Sequence, residues 1–181
     1  MSEEAEQQRR DFVVHNTLLR TVPGLTAIRL HLADEVVPIW EMTEEQLGVA
    51  GVDPPFWAFA WVGGQGVARY VLDHPETVAG RRVLDLAAGS GLAAIAALKA
   101  GAAAATVADV DPFALTAAQL NAEANGASVQ VTGEDLLTRD WSSGYDAVDV
   151  DVILAGDVCY ERVMAARMLR WLHGAADHGR L

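Results

Sequence analysis

The strongest constraint on the fold is a buried strand that runs directly into a glycine loop and then a helix. The segment VLDLAAGSGLAAI, residues 83–95, begins with apolar residues, turns at Gly89 and Gly91, and continues with strong helix formers. Glycines at such a turn permit a sharp change of direction and let a ligand approach the main chain. Several classes of nucleotide-binding enzyme share this loop, so the neighbouring residues must decide the ligand.

Strands and helices alternate along the rest of the chain. The pattern predicts strands over residues 83–88, 105–110, 128–133 and 149–157, with helices over 67–72, 92–100, 112–125 and 161–173. Asp111 is expected to cap the helix that begins at Pro112. Strands separated by helices of this length form parallel β-α-β units. We therefore expect an α/β fold with a Rossmann-like, doubly wound, mostly parallel sheet in three α/β/α layers.

A different pattern precedes this core. Residues 1–20 predict a helix that ends at Pro23–Gly24, and residues 27–40 alternate as a half-buried strand does. We divide the chain into an N-terminal helix and strand extension, residues 1–55, and a Rossmann-like core, residues 56–181. Together they are expected to form one compact unit.

Composition excludes several classes of function. A net charge of −12 gives no general attraction for nucleic acid and suits a cationic small molecule or a basic protein partner. The single cysteine, Cys159, cannot form an intrachain disulfide, and we expect it to be a small buried residue. The histidines lack metal-ligand spacing, so no metal is expected. No apolar stretch predicts a membrane span, and the acidic N-terminus MSEEAEQQRR predicts a cytoplasmic protein rather than a secreted one.

Four aspartates mark the predicted sheet. Asp85 lies inside the first core strand, Asp109 ends the second, Asp135 follows the third and Asp157 ends the fourth. Open α/β sheets bind ligands at the carboxyl ends of their strands. The four residues therefore predict one pocket at this edge.

Charge favours S-adenosylmethionine as the ligand. A carboxylate at Asp85 would repel a pyrophosphate but attract an ammonium or sulfonium group. Asp109 can accept hydrogen bonds from ribose hydroxyls, with a solvated turn residue as the alternative. Asp135 could accept the adenine amino group, or it could cap a helix. The Gly-x-Gly-x-x-Ala spacing leaves a nicotinamide-dinucleotide oxidoreductase as an alternative.

These residues also carry a resemblance to a known family. VLDLAAGSG resembles the first motif of class I, seven-strand S-adenosylmethionine-dependent methyltransferases, and Asp157–Tyr160, DVCY, matches the Asp-x-x-Tyr element of the family-16 lysine methyltransferases. Residues 55–91 closely resemble the electron-transfer-flavoprotein β-subunit lysine methyltransferases, and the likeness covers residues 25–175. The chain ends where that family begins its sixth strand, so we expect a sheet that lacks the last two strands.

The resemblance implies a set of site residues. Trp61, Gly63, Gly64 and Gln65 would lie over the cofactor. Residues binding it would be Asp85, Gly89, Gly91, Asp109 and Asp135, with Asp157 counted among them and also facing the acceptor amine beside Tyr160.

The implied activity is S-adenosylmethionine-dependent protein-lysine N-methylation, which leaves S-adenosylhomocysteine. The resemblance implies the electron transfer flavoprotein β-subunit as substrate. Two alternatives stay open: N-methylation of a nicotinamide-like small molecule, and a non-catalytic adenosylmethionine-binding module.

Overall fold

A computed structural model describes residues 3–34, 39, 41, 54–139 and 150–177. None of the helices within these ranges is both long and apolar enough to cross a membrane. The helices are α1 (Glu3–Asn16), α2 (Val62–Asp73), α3 (Leu92–Lys99), α4 (Pro112–Ala124) and α5 (Arg162–Asp177); the strands are β1 (Leu18–Val22), β2 (Leu25–Leu32), β3 (Arg82–Leu86), β4 (Ala104–Ala108), β5 (Gln130–Thr132) and β6 (Val152–Leu154); short 3-10 turns cover Phe56–Ala58, Pro75–Thr77 and Leu136–Thr138.

Strand β3 lies inside a four-stranded parallel sheet with the order β5-β4-β3-β6. Val83 is level with Ala105 of β4 on one side and with Val152 of β6 on the other. The strand order reverses at β3, because β4 and β5 follow on one side and β6 on the opposite side. Such a reversal opens a crevice at the carboxyl ends of the strands.

Helices cover both faces of this sheet. Side chains alternate along β3, so Val83 and Leu84 point to opposite faces. Val83 packs in a cluster with Val71 of α2 and Ala97 of α3. Leu84 packs in another cluster with Met168 of α5. The predicted three-layer, doubly wound arrangement is confirmed.

The predicted N-terminal elements are partly wrong. The helix ends at Asn16, and residues 18–22 form β1, which pairs antiparallel with β2. Pro23–Gly24 is the turn of this hairpin rather than the end of a helix, with Gly24 at a φ of +74°. Strand β2 ends at Leu32, and the later part of the predicted strand, residues 35–38 and 40, lies outside the described residues. The hairpin was missed because its ladder depends on pairing, which leaves no clear period in β1.

Core strands are shorter than predicted. Strand β6 covers Val152–Leu154, against a prediction of 149–157, and residue 149 lies outside the described residues. Residues next to the ladders still hydrogen-bond to neighbouring strands without continuing the regular pairing: the Asp151 N–H, for example, donates to the Arg82 carbonyl (2.8 Å). Helix α2 begins at Val62, where the sequence predicted only its later part from residue 67.

Two asparagines of α4 attach the hairpin to the core. Asn125 accepts a hydrogen bond from the Arg29 backbone N–H (3.1 Å) and donates one to the Arg29 carbonyl (2.6 Å). Asn121, fully buried, accepts from the His31 N–H (2.7 Å) and donates to the carbonyl of Ser90 (2.9 Å). The side-chain amides therefore satisfy the backbone of β2, and Asn121 also connects β2 to the glycine loop.

Replacing Asn121 with alanine should destabilise the protein by roughly 2–3 kcal/mol, because two backbone groups would lose their partner in a buried place. Urea unfolding measures the change. Asn16→Ala is the control, since Asn16 makes a single hydrogen bond to the Phe12 carbonyl within α1. Equal destabilisation by both substitutions would contradict the bridging role of Asn121.

Candidate active site

The glycine loop after β3 turns through left-handed backbone conformations. Ala87, Gly89 and Gly91 have φ values of +53°, +52° and +73°. Gly91 is the N-cap residue of α3, where a Cβ atom would lie 2.8 Å from the Cβ of Ala118 in α4. Glycine at this position thus lets α3 begin directly against α4. Ala87 adopts a conformation that costs a non-glycine residue about 1 kcal/mol.

Asp85 lies beneath this loop with 2% of its surface exposed. Its Oδ2 accepts a hydrogen bond from the Ala94 N–H at 2.9 Å, at the N-terminal end of α3. Burial raises the pKa of Asp85 to about 7, and the nearby charge of Asp109 adds to this effect, while hydrogen bonds from the helix oppose it. Because Asp85 is buried, its influence on a ligand would be electrostatic rather than by direct contact.

Asp109 connects the end of β4 to the same loop. Its Oδ2 accepts from the Gly89 N–H (2.9 Å) and its Oδ1 from the Asp111 N–H (3.0 Å). Burial raises the pKa of Asp109. Asp111 accepts from the Phe113 N–H (2.8 Å) and caps α4, which confirms its predicted capping role. The adjacent Val110 is 66% exposed, so an apolar side chain stands at the rim of the loop.

Asp157 is held by the start of α2. Its Oδ1 accepts from the Gly63 N–H (2.9 Å) and its Oδ2 from the Gly64 N–H (2.6 Å). The first N–H groups of a helix lack partners within it, and a negative charge is favourable at that end. Asp157 thus caps α2 from the turn after β6, with its own φ at +55°. Its predicted contact with an acceptor amine stays a prediction.

Glycines permit this contact between α2 and the turn after β6. A Cβ atom at Gly156 would lie 2.7 Å from the Cα of Gly64, and one at Gly63 would lie 2.7 Å from the Cγ of Asp157. Both approaches are shorter than a side chain tolerates. The predicted cofactor cover, Gly63 and Gly64, therefore lies against the turn that carries Asp157.

The polar groups of Trp61 and Gln65 bond to their own segment. Trp61 Nε1 donates to the Phe56 carbonyl (2.8 Å), and Gln65 Nε2 donates to the Ala60 carbonyl (2.6 Å). These bonds fix the backbone that leads into the N-terminus of α2. Trp61 remains 41% exposed, and the role of both residues over a cofactor stays a prediction.

Four aromatic rings from the segment before α2 and from the turn after β6 lie close together, and we call Phe56, Phe59, Trp61 and Tyr160 the aromatic cluster. The ring centroids of Phe56 and Trp61 are 5.9 Å apart, those of Phe56 and Tyr160 are 6.0 Å apart, and those of Phe59 and Trp61 are 5.7 Å apart. Cys159, in the same turn as Tyr160, is exposed and not buried as expected. The turn after β6 leaves the sheet, which carries both side chains to the surface.

Asp135 has separate partners. Its Oδ1 accepts from the Leu137 N–H (3.1 Å), and its Oδ2 accepts from Arg167 of α5 (2.8 Å). The capping alternative is thus realised, and an ion pair accompanies it. Of the four predicted aspartates, the structure couples Asp85 and Asp109 electrostatically at the loop.

Sequence reasoning missed Arg167 and Asn121. Asn121 could have been found, because an amide four residues before Asn125 on an otherwise apolar helix face indicates a shared buried partner. Arg167 carries no such signal, since an arginine on the terminal helix resembles any solvated residue.

The sequence around this site matches a known family of proteins. Residues 69–159, 91 of the 181 residues, match the family model described as ribosomal protein L11 methyltransferase (PrmA). The chain belongs to this family of class I S-adenosylmethionine-dependent methyltransferases. The predicted family is confirmed, and the dinucleotide oxidoreductase alternative has no support.

Individual relatives extend the likeness. The electron transfer flavoprotein β-subunit lysine methyltransferase of Danio rerio is 34% identical over 177 residues, covering 97% of this chain and 66% of that protein. The corresponding protein of Rattus norvegicus is 40% identical over 164 residues, covering 89% and 60%. The chain thus spans less than two thirds of the length of these relatives.

A solved structure supports the fold. The crystal structure of ribosomal protein L11 methylase from Lactobacillus delbrueckii subsp. bulgaricus has a TM-score of 0.50 and 26% identity, covering 68% of this chain and 56% of that one.

Gly156→Ala should destabilise the protein by about 2–3 kcal/mol, because its Cβ would meet the backbone of α2 and force the two segments apart. Gly66→Ala is the matched control: Gly66 lies within α2 and a Cβ there meets nothing within 4 Å. That change should stabilise by about 0.5–1 kcal/mol. Thermal unfolding measures both, and a neutral Gly156→Ala would contradict the close contact.

The raised pKa of Asp85 predicts that the stability of the protein depends on pH. This raised pKa means that the folded state keeps a proton that the unfolded state releases between pH 3.8 and about 7. The free energy of unfolding should therefore fall as pH rises through this window, by on the order of a few kcal/mol, and then level off.

Asp85→Asn should flatten this slope, leaving the part due to Asp109. Asp73→Asn, which removes a more exposed carboxylate paired with Arg69, should preserve it. Urea unfolding at a series of pH values compares the three proteins. An unchanged slope in Asp85→Asn would show that another group is responsible.

Proposed function

We propose that the chain is an S-adenosylmethionine-dependent protein-lysine N-methyltransferase whose acceptor is the electron transfer flavoprotein β-subunit. The observation that supports this cofactor is a pair of carboxylates: Asp109 accepts from the Gly89 N–H of the glycine loop, and Asp85 accepts from the Ala94 N–H at the start of α3. The acceptor is suggested by the names of the relatives that align with nearly the whole chain.

The chemistry of the loop fits this cofactor. Two acidic groups favour a ligand with a cationic methionine end over one with a pyrophosphate. Asp109 keeps lone pairs beyond its two backbone bonds and could accept from the ribose hydroxyls. The exposed Val110 beside it offers an apolar surface for the adenine ring. Gly89 would let the ligand approach the backbone, since a Cβ there has no atom nearer than 3.8 Å.

The bound cofactor would supply a methyl group on a sulfonium, ready for in-line displacement. The task of the chain is to hold the acceptor nitrogen in line and to exclude water. An acceptor lysine must first lose a proton, which costs about 4 kcal/mol at neutral pH. A carboxylate opposes that loss by stabilising the ammonium. Asp157 would therefore orient the lysine amine, and the Tyr160 hydroxyl would accept a second hydrogen bond from it. Water would take the proton that the ammonium group loses.

Calorimetric titration of the chain with S-adenosylhomocysteine should give micromolar affinity, with no binding of NAD. Asp109→Ala should weaken that affinity by at least tenfold, because one or two hydrogen bonds to a charged group are lost. Asp73→Ala on α2 is the control and should bind like the unsubstituted chain. Equal affinity for NAD, or none for either ligand, would contradict the proposed cofactor.

Methyl transfer to the purified flavoprotein β-subunit tests the acceptor. Asp157→Asn should abolish transfer, followed by mass spectrometry, while S-adenosylhomocysteine binding is largely retained. Unchanged turnover would remove Asp157 from the site. Binding without transfer to the flavoprotein would favour the non-catalytic module, and transfer to nicotinamide alone would favour the small-molecule enzyme.

A further inference from the structure

The aromatic cluster exposes large rings in a segment that also builds the core. Phe56, Trp61 and Tyr160 are 42%, 41% and 72% exposed, whereas Trp57 between them in the sequence is 1% exposed and stacks on Phe113. The segment thus divides its aromatic side chains between the interior and the surface. Exposed apolar groups in contact with one another often mark a binding surface.

Backbone contacts hold these rings in place before any partner arrives. Trp61 is the N-cap residue of α2, and its indole N–H is fixed on the Phe56 carbonyl. Tyr160 follows the turn that Asp157 anchors to Gly63 through hydrogen bonds. Rings from two distant parts of the chain therefore keep their spacing at little further entropic cost.

Negative charge flanks Tyr160 in the sequence. Asp157 precedes Tyr160 by three residues, and Glu161 follows it directly. Glu161 accepts from the backbone N–H groups of Val163 (2.9 Å) and Met164 (2.7 Å), and these bonds lower its pKa. Both carboxylates are held by helix N-termini, so their charge is fixed in position. Aromatic faces in a segment that also carries fixed carboxylates favour a cation on an apolar stem.

We propose that Phe56, Trp61 and Tyr160 bind the side chain of the acceptor lysine, with the rings packed along its methylene stem and facing its ammonium group. This assignment rests on the proposed lysine methyltransferase activity. It differs from the expectation that Trp61 covers the cofactor, and it gives the ring of Tyr160 a role separate from that of its hydroxyl.

Single substitutions to leucine at Phe56, Trp61 and Tyr160 test the site. Each should raise the KM for the flavoprotein β-subunit roughly fivefold to tenfold, the loss expected for one cation–π contact. The affinity for S-adenosylhomocysteine should stay within twofold. Tyr160→Phe keeps the ring, so it should retain the KM and lower kcat only. Tyr70→Leu, an exposed aromatic beside His74 on α2, is the matched control and should change neither value.

A second measurement needs no substitution and does not depend on variants that fold. Tetramethylammonium chloride should inhibit the unsubstituted chain competitively against the flavoprotein, whereas the similarly shaped neutral molecule tert-butanol at equal concentration should not. Equal inhibition by both would overturn the cationic site.

Two other results would also overturn the inference. Loss of S-adenosylhomocysteine affinity with an unchanged KM in the Phe56 and Trp61 variants would assign the rings to the cofactor. An unchanged KM in all three leucine variants would remove them from the site. Failure of the proposed function would give a different result: the unsubstituted chain would bind no S-adenosylhomocysteine or transfer no methyl group. The assignment of the rings would then be wrong as well.

Discussion

The contact between the Asp157 carboxylate and the first backbone N–H groups of α2 holds the site together. It connects the turn after β6 to a helix that begins more than ninety residues earlier in the chain. Gly63, Gly64 and Gly156 allow the two segments to meet backbone to backbone. Trp61 directly precedes α2 and Tyr160 follows Asp157 by three residues, so this contact helps to set the spacing of the aromatic cluster.

Asp85 illustrates a conflict between stability and ligand binding. A buried carboxyl with a pKa near 7 weakens the folded state at neutral pH. A leucine or an alanine would fill the strand without that cost. The acid gains only partial compensation from the N-terminus of α3. Its presence beneath the glycine loop is consistent with a site that binds a cation, because a nearby positive charge would restore its ionised form.

The core strands and helices were predictable because each has a local signal. β3, α3 and α4 follow from apolar runs, strong helix formers and the Asp111–Pro112 start, and the parallel order follows from their alternation. The hairpin of β1 and β2 was missed because it depends on pairing and on Asn121 and Asn125 of a distant helix. The site aspartates were found by position, but their hydrogen-bond partners were not.

The sequence by itself determined the fold class and the glycine loop, because periodicity and glycine spacing are local properties, and the methyltransferase family followed from the resemblance of its motifs. Tertiary structure alone decided what each acid does: Asp157 caps α2, Asp135 pairs with Arg167, and Asp109 holds Gly89. It also decided that Phe56 and Tyr160 come together at the surface. A carboxylate or a ring can take many partners, and only the packing of distant segments selects one of them.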